Sequence, residues 1–337
     1  MAITAKEIAV LAGVSRGTVD RALKGRSGIS AETKERILEI AEKHHYKPNL
    51  IGKALVYSGK SIQVQVVLNS IGNPFFDDVK AGIFAAADEF SDYGFQIALS
   101  EFKGYHADEL LRILNSLPDD MGQLIVTPIS DSTVEKKLNQ LSERGVELIL
   151  LSGELENVKN AVYVGCDYLK SGMLAGRLTG LLSQGRANLF IVTGSIHHIG
   201  HAQRVDGIVK LIKNDYPDIH LRGFLENNDD DALAYAEMRS ALQKHPEIDF
   251  IYITAGGVNG TLRAVREISP SARVCAFDDT PVIREALKSG SVLATICQQP
   301  YEQGYQSVKV LFDKIVAKNR VNEKIYSELY IKVDQSL

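Results

Sequence analysis

Cysteine is scarce in this 337-residue chain: Cys166, Cys275 and Cys297 are odd in number and widely spaced. They offer neither a disulfide framework nor a metal-ligand spacing, so buried free thiols in a reducing cytoplasm are expected. Long apolar runs are missing too, which leaves nothing to cross a bilayer. The opening MAITAKEIAV turns charged where a secretory leader would be apolar, so export is not expected. The turn AGGVNG at 255–260 is glycine-rich but lacks both the GxGxxG spacing of a dinucleotide fold and the lysine of a P-loop; Asn259 remains a contact candidate. His197, His198 and His201 invite a metal, yet no carboxylate or cysteine completes a ligand set. They read better as hydrogen bonders lining a pocket, and no cofactor is expected. No nucleophile–base pair stands out either, so catalysis is not expected.

What is present is an ordinary globular composition, 45% hydrophobic and 24% charged, with room for two or three domains. Charge is uneven: residues 1–60 hold 11 Lys+Arg against 6 Asp+Glu, although the whole chain carries −4. A basic end on an acidic body suits a nucleic-acid contact confined to that end.

That end carries TAKEIAVLAGVSRGTVDRAL, residues 4–23. Thr4 and Glu7 make a capping box, and Ile8 and Leu11 are expected to face inward from the first helix. Gly13 turns the chain and Val14 plugs the gap. Ser15 then N-caps a second helix, whose Val19 and Leu23 point back at the first. The pattern is a helix-turn-helix, whose second helix would enter a DNA major groove. Arg16 at its start can hold guanine by two hydrogen bonds, beside Gly17, which has no side chain; Arg21 reaches base or phosphate. Ser15 and Thr18 suit capping and phosphate contacts, which position without specifying sequence. Ser30 caps a third helix, with Ile37, Leu38, Ile40 and Ala41 expected inward.

The segments AGVSRGTV, Tyr46–Lys47–Pro48–Asn49 and Ala54–Leu55, in this order, resemble the DNA-binding head and hinge of the LacI/GalR family of bacterial transcription regulators. The resemblance implies a head over 1–46 and a hinge over 47–60 that folds only in the minor groove beside its twin. Asn49, Lys53, Ala54 and Leu55 would then meet DNA, with Leu55 wedged into a base step. So short a segment cannot hold a helix by itself in water. Two departures stand out. Asp20 replaces the family's common serine, and Gly52 replaces alanine, weakening a hinge helix by roughly 1 kcal/mol per chain.

From Ile62 onward strands alternate with helices. Strands are read at IQVQVVL, FQIALS, QLIVTP and VELILL, with helices at 75–91, 106–117 and 131–144 between them. A second series reads strand 187–193, helix 200–214, strand 219–225, helix 230–244, strand 249–253, helix 257–267, strand 273–277, helix 281–288, strand 292–297, helix 301–317 and a strand near 325–333. Such alternation predicts parallel sheets with helices on both faces. The resemblance extends over 61–337 as a periplasmic-binding-protein-like core, closest in pattern to ribose-binding proteins. It implies two lobes, about 62–163 plus 299–326 and 164–298 plus 327–337. The expected fold is an all-α helix-turn-helix head with a hinge helix, followed by this two-lobe α/β core.

Ligands in such folds collect beyond the carboxyl ends of strands. Asn73, Phe75 and Phe76 follow the first strand, and two rings beside an amide suit a sugar, with one of the two rings expected only to dock the helix. The resemblance adds Arg204, whose guanidinium fork can hold two vicinal oxygens; a surface salt bridge to Asp206 is the plain alternative. It also adds Asp278 and Gln298. Ser152, Thr127 and Asp229 stand where ribose binders carry other residues, which argues against ribose itself and leaves a polyol or another sugar open. Arg204 and Asp278 are expected to neutralise each other in a dry cleft. The partners implied are near-palindromic operator DNA, a sugar or polyol effector, and a second copy of the chain, with tetramers left open. The function implied is a cytoplasmic, nucleoid-associated repressor; a solute-binding protein of sugar transport is the alternative.

Overall fold

A computed structural model describes residue 3 and residues 5–23, 27–44 and 61–334. The expected hinge, with Asn49, Gly52, Lys53, Ala54 and Leu55, lies outside the described residues, as does Thr4.

The head holds three helices: α1 (Ala5–Leu11), α2 (Arg16–Leu23) and α3 (Ala31–Lys43). Gly13 takes φ +64° at the turn into α2, a conformation that costs glycine nothing. Ser15 Oγ accepts from the Thr18 N–H at 3.1 Å, and Ser30 Oγ from the Thr33 N–H at 3.2 Å, so both expected N-caps are made. The core is small: Ile8, Ala9, Ala12, Val19, Ala22, Ile37 and Ala41, with Val14, Leu23 and Ile40 packed against it. Leu11 and Leu38, expected inward, are instead exposed. In α1 the buried stripe runs Ile8–Ala12, one position away from Leu11. In α3 it runs Ile37–Ala41, which turns Leu38 outward.

Two six-stranded sheets form the rest. The first takes β1 (Ile62–Asn69), β2 (Phe95–Phe102), β3 (Gln123–Val126), β4 (Glu147–Leu151) and β5 (Ala161–Gly165). The second takes β6 (Ala187–Thr193), β7 (Ile219–Glu226), β8 (Phe250–Ile253), β9 (Arg273–Phe277) and β10 (Ala294–Cys297). Each is closed by one short late strand, β11 (Lys324–Tyr326) on the first and β12 (Tyr330–Lys332) on the second. The orders are β11-β5-β4-β3-β1-β2 and β12-β10-β9-β8-β6-β7, the same strand order twice. All pairs are parallel except β10 with β12. Helices cover both faces, so central strands are buried throughout: all of β8 is, for example.

The helices are α4 (Phe75–Glu89), α5 (Ala107–Ser116), α6 (Ser132–Glu143), α7 (Tyr168–Leu182), α8 (Ile199–Asp215), α9 (Asp231–Lys244), α10 (Val258–Ile268), α11 (Pro281–Lys288) and α12 (Pro300–Phe312). A π-helical turn, Asp313–Ala317, extends α12. Thr280 and Pro281 occupy N-cap and N1 of α11, and the Thr280 side chain makes no capping bond.

Sequence reading missed β5 and α7. It also took β11 and β12 for one strand, whereas Ser327–Leu329 carry the chain from one sheet to the other. The boundary expected near 163 falls inside β5, whose Gly165 pairs with Tyr326 in the first sheet. Helix α7 packs on α8 at backbone distance. A Cβ on Gly172 would lie 2.1 Å from Arg204 O, and one on Gly207 would lie 2.3 Å from Leu169 O.

Candidate functional site

In both sheets the chain leaves one edge and returns to the other side of the starting strand, at β1/β3 and at β6/β8. Crevices open at such switch points. Loops from these strand ends meet around one cavity of about 160 Å³, lined from both lobes. All ten sequence-predicted effector residues line it: Asn73, Phe75, Phe76, Thr127, Ser152, Arg204, Asp229, Asn259, Asp278 and Gln298.

Arg204 is the centre of its electrostatics. The side chain is 2% exposed, in the second turn of α8. Nη1 donates to Thr254 O at 2.7 Å, while Nε and Nη2 have no protein partner. The guanidinium lies between two rings, 4.2 Å from the Phe277 centroid and 4.9 Å from that of Tyr168. These rings hold the fork in place and compensate part of its lost hydration. Burial pulls the Arg204 pKa down, but Asp278, Cys166 and Tyr168 outweigh it and the net direction is up. The surface pairing with Asp206 is not what the residue does.

Asp278 sits at the tip of β9 with φ +72°. Its Oδ1 accepts from Gln298 Nε2 at 2.7 Å. Burial raises its pKa, against the opposing pull of Arg204 and the Gln298 bond. Arg204 and Asp278 thus act on each other through space. They are the expected neutralising pair without direct contact: Gln298 bonds the carboxylate, and Thr254 O takes one nitrogen of the guanidinium. Gln298 Oε1 in turn accepts from the Cys166 thiol at 3.1 Å, so Gln298 orients Asp278 more than it offers itself to a ligand.

The other residues divide by how much bonding capacity they keep. Phe75 and Phe76 meet edge-to-face at 5.2 Å and both pack into the first-lobe core while reaching the cavity, so neither merely docks the helix. Thr127 Oγ1 is buried without a partner. Ser152, at φ +53°, donates its hydroxyl to Gln303 Oε1 at 2.8 Å and offers little to a ligand. Asn259 is exposed at the rim, donating to Asp231 Oδ2 at 3.3 Å. Asp229 is already bonded to Tyr105 and Asn73 of the first lobe.

His198 and His201 line the cavity, as hydrogen bonders should; His197 does not. Burial first, then His201 and Arg204, drives the His198 pKa well below its usual value; burial, then Arg204, takes that of His201 down to about 3. Both rings are therefore neutral. His201 Nδ1 accepts from the Ser195 N–H at 3.1 Å, while His198 Nδ1 is unpartnered. Sequence reasoning placed Phe277 in the strand-tip cluster of Asp278 but did not single out Tyr105 or Tyr168, and nothing in the sequence around Tyr105 marks it.

In the head, Ser15, Arg16, Gly17 and Arg21 are exposed and Thr18 half-buried, on or beside α2. The hydroxyls of Ser15 and Thr18 bond each other at 2.9 Å, which fixes the start of the helix.

A two-lobed cleft with a built polar interior, behind a helix-turn-helix head, defines a ligand-responsive DNA-binding protein. Residues 64–319 match the model of a periplasmic binding protein domain, and residues 4–49 that of bacterial regulatory proteins of the lacI family. The chain belongs to the LacI/GalR family of transcription regulators. It is 23% identical to catabolite control protein A of Priestia megaterium, over 96% of each chain. It is 25% identical to the ribose operon repressor of Bacillus subtilis (strain 168), over 91% of this chain and 90% of that one. Among solved structures, the glucose-galactose binding protein GanP of Geobacillus stearothermophilus superposes with a TM-score of 0.77 at 24% identity, covering 82% of this chain and 99% of that one.

Proposed function

We propose that this regulator is a repressor whose operator affinity is set by an uncharged sugar or polyol held between its lobes, and that it works as a dimer in the bacterial cytoplasm, on the nucleoid. The observation that carries the effector reading is Arg204: a buried guanidinium with Nε and Nη2 unpartnered, facing a cavity walled by Phe75 and Phe76. Leaving such donors unpaired is costly, and two adjacent ligand oxygens would satisfy them. Asp278 would accept a ligand hydroxyl, with His198 and Thr127 as further hydrogen-bonding groups. The ribose repressor and sugar-binding proteins among the similar chains support the same class. The proposed division is a head over 1–46, a hinge over 47–60 and a core from 61. We read the cleft as a binder.

Isothermal titration against a panel of sugars and polyols tests this. Arg204→Ala or Asp278→Ala should abolish effector binding yet leave a folded protein that still binds operator and no longer responds. Wild-type effector affinity in either variant would place the effector elsewhere. For the DNA side, Leu55→Ala should weaken operator binding while sparing the effector, through loss of a wedge that offsets base unstacking. Equal operator affinity in a salt-matched titration would reduce the hinge to a tether.

A further inference from the structure

Asp229 belongs to the second lobe, in the loop after β7, yet its carboxylate is bonded to the first. Oδ2 accepts from the Tyr105 hydroxyl and from Asn73 Nδ2, the latter at 3.3 Å. Oδ1 is held on its own side by the Gly256 N–H at 2.8 Å. Three local features aim the group. The backbone takes φ +58°, which aspartate tolerates better than most residues. The Asp229 N–H donates to Asn227 Oδ1 at 2.9 Å, closing an Asx turn. And a Cβ at Gly256 would lie 2.8 Å from that of Asp229, so no larger residue fits behind it.

Tyr105 is prepared to match. Burial first, then Asp229 itself, raises its hydroxyl pKa well above the usual value, so it remains a donor. Its ring meets those of His198 and His201 edge-on at 5.7 and 5.6 Å, which places the hydroxyl without using it.

We propose that Tyr105, Asn73 and Asp229 form a clasp that holds the two lobes together before any effector arrives. The clasp uses none of the free nitrogens of Arg204, so clasp and effector occupy the cleft together. Charge-assisted hydrogen bonds to this half-buried carboxylate shift the closed-to-open ratio by roughly tenfold. An effector that binds only the closed form gains apparent affinity in proportion to the closed fraction, by at most the same factor, since less of its binding energy goes into closure.

The full-length protein, free of ligand, provides the test. Dyes on Lys136→Cys and Glu237→Cys, exposed positions on opposite lobes, report the gap by single-molecule energy transfer. The three native cysteines are buried and stay out of the labelling. Wild type should show mainly the short distance. Tyr105→Phe, which removes one oxygen and keeps the ring, should move most molecules to a longer one, and Asp229→Asn should do the same. A mainly open wild type, or distributions unchanged in both variants, would overturn the clasp. Tyr105→Phe leaves the packing intact, so its result stands even if Asp229→Asn proves unstable.

Discussion

At the scale of single residues, the cleft keeps its titratable groups in chosen states by burial. His201 illustrates the energetic consequence. Its folded pKa, about 3, lies below the unfolded value of roughly 6.5, so the folded protein binds fewer protons. The stability this confers is complete above pH 6.5 and is lost as pH falls below it; by pH 5 His201 alone should cost about 2 kcal/mol. His198 shifts the same way. Urea unfolding from pH 8 to 5 should show this loss, and His201→Gln should remove part of it. An identical slope in the variant would mean the ring can be protonated without penalty. The same burial pushes the Cys166 thiol up to about 12, which keeps it uncharged and unreactive. Asn73 with Phe75 and Phe76 was legible as a local pattern, polar and aromatic residues at a strand tip beside a helix start, whereas Arg204, Asp278 and Gln298 came through the family resemblance. Partnerships were not legible. That Gln298 would bond Asp278, and Thr254 one nitrogen of Arg204, depends on loops meeting in space.

At the scale of elements, helices α4 with α12 and α7 with α8 touch backbone to backbone through facing glycines. A Cβ on Gly82 would lie 2.0 Å from Tyr301 O, and one on Gly304 would lie 2.0 Å from Val79 O. Gly172→Ala should therefore destabilise by about 1–3 kcal/mol, as overpacking does. It should also weaken effector binding, because the carbonyl it strikes is that of Arg204. Gly122→Ala, where a Cβ meets nothing within 4 Å, is the control and should be near neutral. Equal melting temperatures for the two variants would show that the crossing has slack. These glycines also explain the missed helix. Gly172, Gly176 and Gly180 read as breakers along the sequence, although their spacing of four places them on one face of α7, where closeness is wanted. The exposed Leu11 and Leu38 are errors of phase: in so small a head alanines make the core, and apolar side chains on two adjacent faces mislead a periodic reading.

At the scale of the whole molecule, the basic head and acidic body divide the labour. Operator binding should weaken steeply with salt, while effector binding should hardly change, because phosphate contacts release counterions and a neutral sugar does not. Sedimentation of saturated operator should find two chains per near-palindromic site; one chain at full occupancy would refute the dimer.

The late strands β11 and β12 bear on how the molecule is made. Three residues separate the strand that completes the first sheet from the strand that completes the second. A ribosome releasing this chain from its N-terminus must therefore deliver almost all of it before either lobe has its full set of strands. Neither half can finish early and wait for the other. A message cut short before codon 324 would leave the β5 and β10 edges of both sheets unpaired at once, and each bare edge is a template for association. Quality control would then meet two incomplete lobes rather than one sound lobe and one failed lobe.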